Sequence, residues 1–522
     1  MVPVSAAAAL RMMRSQNQDR VLWIIAICIN QKDLAERAQQ VQMMSLIYSR
    51  STGNLIYLGE GDGSMRSALK SLQNVYHDLE QETDDFTQLD GTLFKTGTDP
   101  VREETKLTCG VDIPALKTLF SLPWFRRLWI FQEVVLAPCN TCYIGPFDFS
   151  FLLLVRAAMW LFGNKKVDHE LIQSLYKSNC VLVFHFVDRS FGACVMGVTP
   201  RMENLLFGAL YFLASEQGDF VYGMLGIHQN VQQGPLHRLL VPDFTKPAAD
   251  VFRDATRYLI EVRDCIRTWL WIYWETEDEL QSSEIPSWAI DWSRLRANKS
   301  RDLHLRRFNA GCEGPRSRSI AFSTDDANLV LVEGIRLAEV VDTTSVLTDA
   351  MLIDAEIGKQ CPWLEDCISK VYEHLPTEEV EEALSSVLTA FDNGRYLPTE
   401  QRSQAMAEFI SSLGLARNPS IRSPMSSDQA ELAGLALHFF RAWTYTCSNR
   451  RIFTTTGGHL GIESIVLEEG DVIAVLSGFH APYILRPFGP DYRIVGACYG
   501  SSCKAKQLSS IAPMGSLTQY SD

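Results

Sequence analysis

The stretch Arg127-Leu128-Trp129-Ile130-Phe131-Gln132-Glu133-Val134-Val135-Leu136-Ala137 sets a Trp and a Glu four residues apart in a short apolar segment. Pro123 stands where a helix begins well, because the N–H it lacks would find no intrahelical partner. Leu128, Phe131, Val134 and Val135 supply a buried side, so the spacing predicts one helix from Pro123 onward. On such a helix Trp129 and Glu133 lie one turn apart and Arg126 lies two turns from Glu133, so the three share a surface. A carboxylate beside an indole loses water and its pKa rises, as functional carboxylates often do. The plainer alternative is a surface Glu paired with Arg126, worth little to stability.

Working outward, Val21 to Ile29 is a continuous apolar run of strand length, the pattern of a strand buried on both faces of a parallel sheet. Asn30 and Gln31 then fall at its carboxyl end, where open α/β sheets place their ligands. Asp33 with Glu36 makes a capping box, and Leu34, Ala38, Val41, Ser45 and Tyr48 follow helical spacing. Leu55 to Leu58 reads as the next strand, expected beside Val21–Ile29, and Met65 to Leu79 as another helix. Gly59-Glu60-Gly61-Asp62-Gly63 lacks the G-x-G-x-x-G pattern and reads as a turn. Glu80 to Glu104 is an acidic, polar loop, and Asp112 with Pro114 starts the next helix.

Helical patterns recur over Phe149–Leu175, Met202–Leu213 and Ala249–Ile272. Trp269, Trp271, Tyr273, Trp274, Trp288 and Trp292 form an aromatic-dense stretch that reads first as core and second as a sugar or nucleotide platform. Asn418–Gln429, with two Pro and several Ser, is the best linker. The fold class expected is α/β. An N-terminal parallel-sheet domain flanked by helices covers 1–145, and a mainly helical region covers 146–300. A mixed C-terminal region covers 301–522, with strands at 328–335 and within 466–499.

The 522 residues are too many for one ordinary core, and 46% hydrophobic with 21% charged residues is a globular composition. A formal net charge of -14 argues against a nucleic-acid surface, and the basic run Arg301–Arg307 is short. Thirteen cysteines without framework spacing suit reduced thiols. Cys139 and Cys142 make one C-x-x-C, Cys498 and Cys503 are badly spaced, and no metal site is expected. Cys28 reads as a small buried residue. Arg11 and Arg14 follow the first apolar run instead of preceding it, and no run is long enough to span a bilayer, so the expected location is cytoplasmic. No G-x-S-x-G, G-x-x-x-x-G-K-[ST] or H-E-x-x-H signature occurs.

"RLWIFQEVVLA" resembles the R-x-W-x-x-Q-E-x-x-x-A core of the fungal heterokaryon-incompatibility domain. Leu22 to Ser51 resembles that family's L-W-I-D-A-I-C-I-N-Q…E-R-x-x-Q-V…M…I-Y-x-x-A block, and Leu55–Glu60 its following strand. Phe220–Ile227, Ile285–Ser293 and Gly470–Tyr499 are similar to segments that commonly follow the domain. There are departures too. Ile25 stands where the family has Asp, Glu216–Phe220 replaces D-P-R-D-K with only Asp219 kept, and no Y-x-W-G-like strand precedes Leu22. The Val-His-Gly continuation expected after Tyr499 is also absent. The expectation is a divergent member, shortened at its N-terminus, whose Val21–Ile29 strand loses one of its two neighbours and has an open flank.

The resemblance implies a signalling or interaction module of nonself recognition and regulated cell death, acting through protein partners or self-association. The family is thought to be distantly similar to the Toll/interleukin-1 receptor fold, whose enzymatic members cleave NAD with the Glu of a W-x-x-x-E helix. That similarity implies an alternative, an NAD nucleosidase with Glu133 as catalytic residue. Trp129, Asn30, Gln31, Arg126 and Arg127 would then hold the ribose, amide and phosphates of NAD as substrate, with no resident cofactor. Read plainly, Asn30 belongs to a helix-entry turn and the arginines to a solvated surface. A third alternative is a degenerate, inactive copy.

Overall fold

The computed structural model describes residues 3–14, 17, 19–82, 111–163, 167, 169–180, 183, 201–232, 234–294, 320–348, 350–352, 361–374, 377–390, 397–413, 429–479 and 481–500. Arg301–Arg307 and, apart from their ends, the Glu80–Glu104 loop and the Asn418–Gln429 linker lie outside these residues. The chain divides into two units, Met1–Tyr258 with Trp292–Arg296 and Leu259–Asp291 with Ala297–Asp522. It mixes helix and strand as expected: a small mixed sheet stands in the first unit and a larger antiparallel one in the second.

In the first unit α1 (Val4–Met13) packs against β1 (Asn54–Gly59). Between them the expected Val21–Ile29 strand does not form. Val21 is fully exposed, and Ile25–Cys28 closes a single helical turn, α2, with Cys28 N donating to Ile24 O at 2.8 Å. A short apolar run does not by itself specify strand or helix. Here the carbonyl of Ile25 accepts from Ile29 N at 3.3 Å and also from Gln31 Nε2 at 3.2 Å, so the side chain braces the turn. Cys28, read as buried, is exposed on it.

α3 (Leu34–Arg50) is capped by Asp33, whose carboxylate accepts from Ala35 N at 3.1 Å and Glu36 N at 3.0 Å. Glu36 reaches back not to Asp33 but to Asn30 N, at 2.9 Å. The parallel partner of β1 is β2 (Asn140–Ile144), in the register Leu55↔Thr141, and β2 continues antiparallel into β3 (Phe147–Ser150). The first sheet is therefore mixed, in the order β1-β2-β3, instead of parallel with Val21–Ile29. The glycine turn after β1 packs on the β2–β3 hairpin. Gly145 has φ +50 and a Cβ there would lie 2.6 Å from Glu60 O, so only glycine fits.

α4 (Met65–Glu82) and α5 (Ile113–Phe120) pack together; Asp112 caps α5 and receives Ser67 Oγ from α4 at 2.6 Å. The helix expected from Pro123 is broken. Pro123–Arg126 is a 3-10 turn, Arg127 is extended, and α6 runs only over Trp129–Leu136. The break has a partner: Leu213 N donates to Arg126 O at 2.6 Å and Leu128 N to Leu213 O at 2.9 Å. Arg126 is therefore not on the helix that carries Trp129 and Glu133. After α7 (Phe151–Gly163), α8 (His169–Lys177) and α9 (Met202–Ala209) comes α10 (Asp219–Gln232), then α11 (Ala248–Glu261).

α6 and α10 approach closely because α10 offers glycines there. A Cβ on Gly223 would lie 3.2 Å from Leu128, and one on Gly226 2.6 Å from the Gln132 amide. Gln132 is fully buried, and neither amide atom has a partner among the described residues. The first-unit core is completed by Trp292, whose Nε1 donates to Thr256 Oγ1 at 3.3 Å.

In the second unit the remaining tryptophans of the aromatic stretch are core, as their density suggested. Trp269 stacks on Phe479 with centroids 4.7 Å apart, Trp274 Nε1 donates to Ile494 O at 3.0 Å and Trp288 Nε1 to Asn328 O at 2.6 Å. α12 (Glu277–Ser282) and the hairpin β4 (Ile320–Phe322)–β5 (Val330–Val332) precede the long strand β6 (Gly334–Thr343). Four helices follow, α13 (Pro362–His374), α14 (Thr377–Leu388), α15 (Arg402–Ser412) and α16 (Gln429–Cys447). Next come β7 (Arg451–Thr455), β8 (Leu460–Glu463), β9 (Val472–Leu476), β10 (Pro482–Phe488), β11 (Asp491–Ala497) and β12 (Tyr499–Gly500).

The strand order is β11-β10-β9-β6-β7-β8-β12. Only Cys498 separates β11 from β12, so the sheet closes on itself, with β6 pairing β9 along one half and β7 along the other. The guanidinium of Arg486 is buried against Asp471 at 2.8 and 2.9 Å and Val466 O at 2.7 Å, and it also bonds Glu277.

Gly226→Val is expected to destabilise the first unit by about 2 kcal/mol, the scale of an overpacked core position. Gly434→Ala in α16, where a Cβ meets nothing within 4 Å, should be neutral or slightly stabilising. Denaturant unfolding of the two variants beside the wild type measures both; equal effects would show that the α6–α10 contact is not tight.

Candidate functional site

The three helices α3, α6 and α10 meet around one buried carboxylate. Asp219, in the first turn of α10, accepts from Trp129 Nε1 at 3.0 Å and pairs with Arg37 of α3 at 3.3 Å. The guanidinium of Arg37 lies over the Phe244 ring, 3.8 Å from its centroid, so the cation is held between a carboxylate and an aromatic face. Phe244 is fixed in turn by Tyr222 of α10. The rings meet edge-on with centroids 5.1 Å apart, and the Tyr222 hydroxyl donates to Asp243 O at 3.0 Å while accepting from Asp243 N at 3.1 Å. Burial pushes the Asp219 carboxyl up to about 6, against the opposing effects of the Arg37 charge and the Trp129 hydrogen bond.

One turn along α6, Glu133 is half-buried and accepts the hydroxyl of Tyr48 from α3. Burial raises its pKa, and the nearby charge of Arg127 and the Tyr48 hydrogen bond work against that rise. Tyr48 is packed edge-on by Trp23, with centroids 5.5 Å apart. The W-x-x-x-E spacing thus delivers two contacts from one helix face, Trp129 to α10 and Glu133 to α3. Ser45 of α3 adds a third link, donating to Gln229 of α10 at 3.3 Å.

Of the residues singled out from sequence, Trp129 and Glu133 sit in this cluster and Arg127 acts on it by its charge. Arg126 is exposed on the preceding 3-10 turn, so the Arg126–Glu133 pairing loses its helical basis. Asn30 and Gln31 are exposed and bond within their own loop. Asn30 takes Glu36 at its N–H and Lys32 N at its side chain, and Gln31 takes the carbonyls of Ile25 and Ile29. No strand end presents them to a crevice.

Arg37, Tyr48 and Phe244 were missed. Arg37 and Tyr48 stood in the quoted E-R-x-x-Q-V…I-Y block, and Asp219 was the one residue kept from D-P-R-D-K, so three blocks of motif meet at one point. Phe244 carried no sequence signal. Among the described residues no His/Cys/Asp/Glu group with metal-ligand spacing lies in this site.

Residues 1–133 match the family model described as heterokaryon incompatibility protein. The first quarter of the chain is therefore similar to the heterokaryon-incompatibility family, and that match ends at Glu133. Over most of its length the chain is also similar to the "Heterokaryon incompatibility protein 6, OR allele" of Neurospora crassa. That relative is 22% identical over 546 residues, covering 91% of this chain and 78% of the other. No solved structure matches the chain.

The titration of Asp219 has a definite sign. Its folded pKa, about 6, stands above the ordinary 3.8, so the folded state binds this proton more tightly than the unfolded one. The resulting stabilisation is full below the unfolded value and is lost as pH rises through the folded one. The stability of the wild type relative to Asp219→Asn should therefore fall between about pH 4 and about pH 7. A difference in unfolding free energy that stays flat across those pH values contradicts the assignment.

Proposed function

We propose that this chain acts in fungal nonself recognition, as a module that promotes growth arrest or cell death when it assembles with a protein partner or a second copy of itself. The match of residues 1–133 to the heterokaryon-incompatibility family and the similarity to the Neurospora relative support this reading. The observation that carries it is the way the polar residues of the motifs are used. Asp219 takes Trp129 and Arg37, and Glu133 takes Tyr48, so these groups hold three helices in one arrangement. Such a clamp presents a fixed outer surface. Apolar side chains on that side of the sequence, Val21, Ile27, Leu34, Met43 and Leu46, are exposed, as a protein-contact surface needs. Among the described residues no helix is long and apolar enough to cross a membrane.

Forced oligomerisation of the full chain in a fungal host should arrest growth, and Asp219→Ala, which unties α10 from α3 and α6, should relieve the arrest. Normal growth with abundant folded wild-type protein counts against the module.

A second reading, NAD cleavage, is favoured by one feature: Glu133 is a half-buried carboxylate of raised pKa next to an indole-bearing turn. A carboxylate so placed offsets positive charge developing on a ribose as its glycosidic bond breaks. On this reading the oligomerised protein releases nicotinamide from NAD, and Glu133→Ala loses about 10²-fold or more of that rate. Equal release from the two proteins removes Glu133 from any such mechanism.

A further inference from the structure

In the second unit, β6 and the last turn of α13 bring together Asp342, Glu373 and His374. Their ligand atoms, one carboxylate oxygen from each acid and a ring nitrogen of the histidine, all lie within 4.8 Å of one another. His374 Nε2 stands 3.6 Å from Asp342 Oδ2, while the other oxygen, Oδ1, accepts from Lys370 one turn back on α13. Tetrahedral ligands at about 2.0–2.2 Å from one small divalent cation stand about 3.3–3.6 Å apart, so a pair near the 4.8 Å limit has to close by more than an ångström. Glu373 and His374 are exposed side chains that can rotate to make up the difference.

We propose that Asp342, Glu373 and His374 form a binding site for one divalent transition-metal ion of the zinc or cobalt class, a function separate from that of the three-helix clamp. The donor set selects the ion: an imidazole nitrogen favours zinc, cobalt or nickel, whereas magnesium and calcium take oxygen ligands. The electrostatics favour a cation. Two carboxylates against one ammonium leave an excess of negative charge beside the imidazole, and the site lies at the carbonyl end of the 13-residue helix α13, the negative end of its dipole. Lys370 bonds Oδ1 of Asp342, and the oxygen that pairs with His374 is the other one, Oδ2.

The β7–β8 hairpin closes over the same helix end. A Cβ on Gly458, which has φ +70, would lie 3.5 Å from His374 O. A bound ion would fasten α13 to β6, two elements of the second unit that are far apart in sequence. The Cys and His spacing of the sequence could not reveal such a site, since Asp342 comes from another element and Glu373-His374 alone is no metal motif.

The test uses the full chain, stripped by chelator, kept reduced and titrated with Co²⁺ while the visible spectrum is followed. Oxygen and nitrogen ligation gives weak d–d bands, whereas a site built from the chain's cysteines would add thiolate-to-cobalt charge transfer. The wild type should take up one Co²⁺ with d–d bands alone, and Zn²⁺ should displace it while excess Mg²⁺ does not. His374→Ala should lose that equivalent, and Glu373→Gln should bind it about tenfold or more weakly, with circular dichroism showing both folded. Any of three results overturns the proposal: no such bands in the wild type, unchanged binding in folded His374→Ala, or displacement by Mg²⁺ as readily as by Zn²⁺.

Discussion

The first unit depends on one buried carboxylate being satisfied. Asp219 is almost entirely out of water, and an unpaired charge there would cost several kcal/mol. It is tolerable because the Trp129 indole and the Arg37 guanidinium both reach it, and Arg37 is itself steadied by the Phe244 face. These partners come from α6, α3 and the loop after α10, so the cost of leaving Asp219 bare is what fixes those segments relative to one another. Even so the balance is not complete, since the carboxyl remains shifted upward.

Around that charge the packing is unusually close on one side. Gly223 and Gly226 let α6 lie against α10, at the expense of a fully buried Gln132 amide without a partner among the described residues. Burying an amide unsatisfied costs about 1–3 kcal/mol. Tight glycine packing and a poorly satisfied amide therefore sit beside the paired Asp219. In the second unit the equivalent organising charge is Arg486, which bonds Asp471, Glu277 and a backbone carbonyl at the closed sheet.

Much of this could be read from residue order. The helices at Leu34–Arg50 and Met65–Glu82, the Asp33 and Asp112 caps, β1, and β9 and β10 of the C-terminal sheet follow from periodicity and capping chemistry. Core aromatics such as Trp269 and Trp288 were legible from density alone. Val21–Ile29 was misread because a short apolar run has no period. The hydrogen bond from Gln31 that braces the turn there is a contact that pattern cannot express. The helix from Pro123 was overextended for a similar reason, since its break is paired to Leu213, far along the chain.

The sequence by itself picked out the W-x-x-x-E pair, the Asp219 kept from D-P-R-D-K, and a motif order similar to that of the heterokaryon-incompatibility family. Those depend on residue type and short spacing, which the chain states directly. Only the tertiary structure decided what the residues do for one another. That Trp129 serves Asp219, that Glu133 takes Tyr48 in place of Arg126, and that Asn30 and Gln31 stay within their loop are consequences of how α3, α6 and α10 cross. The physical reason is range. Hydrogen bonds and desolvation act over a few ångströms in space, and the groups they join among these three helices are separated by up to 184 residues in sequence.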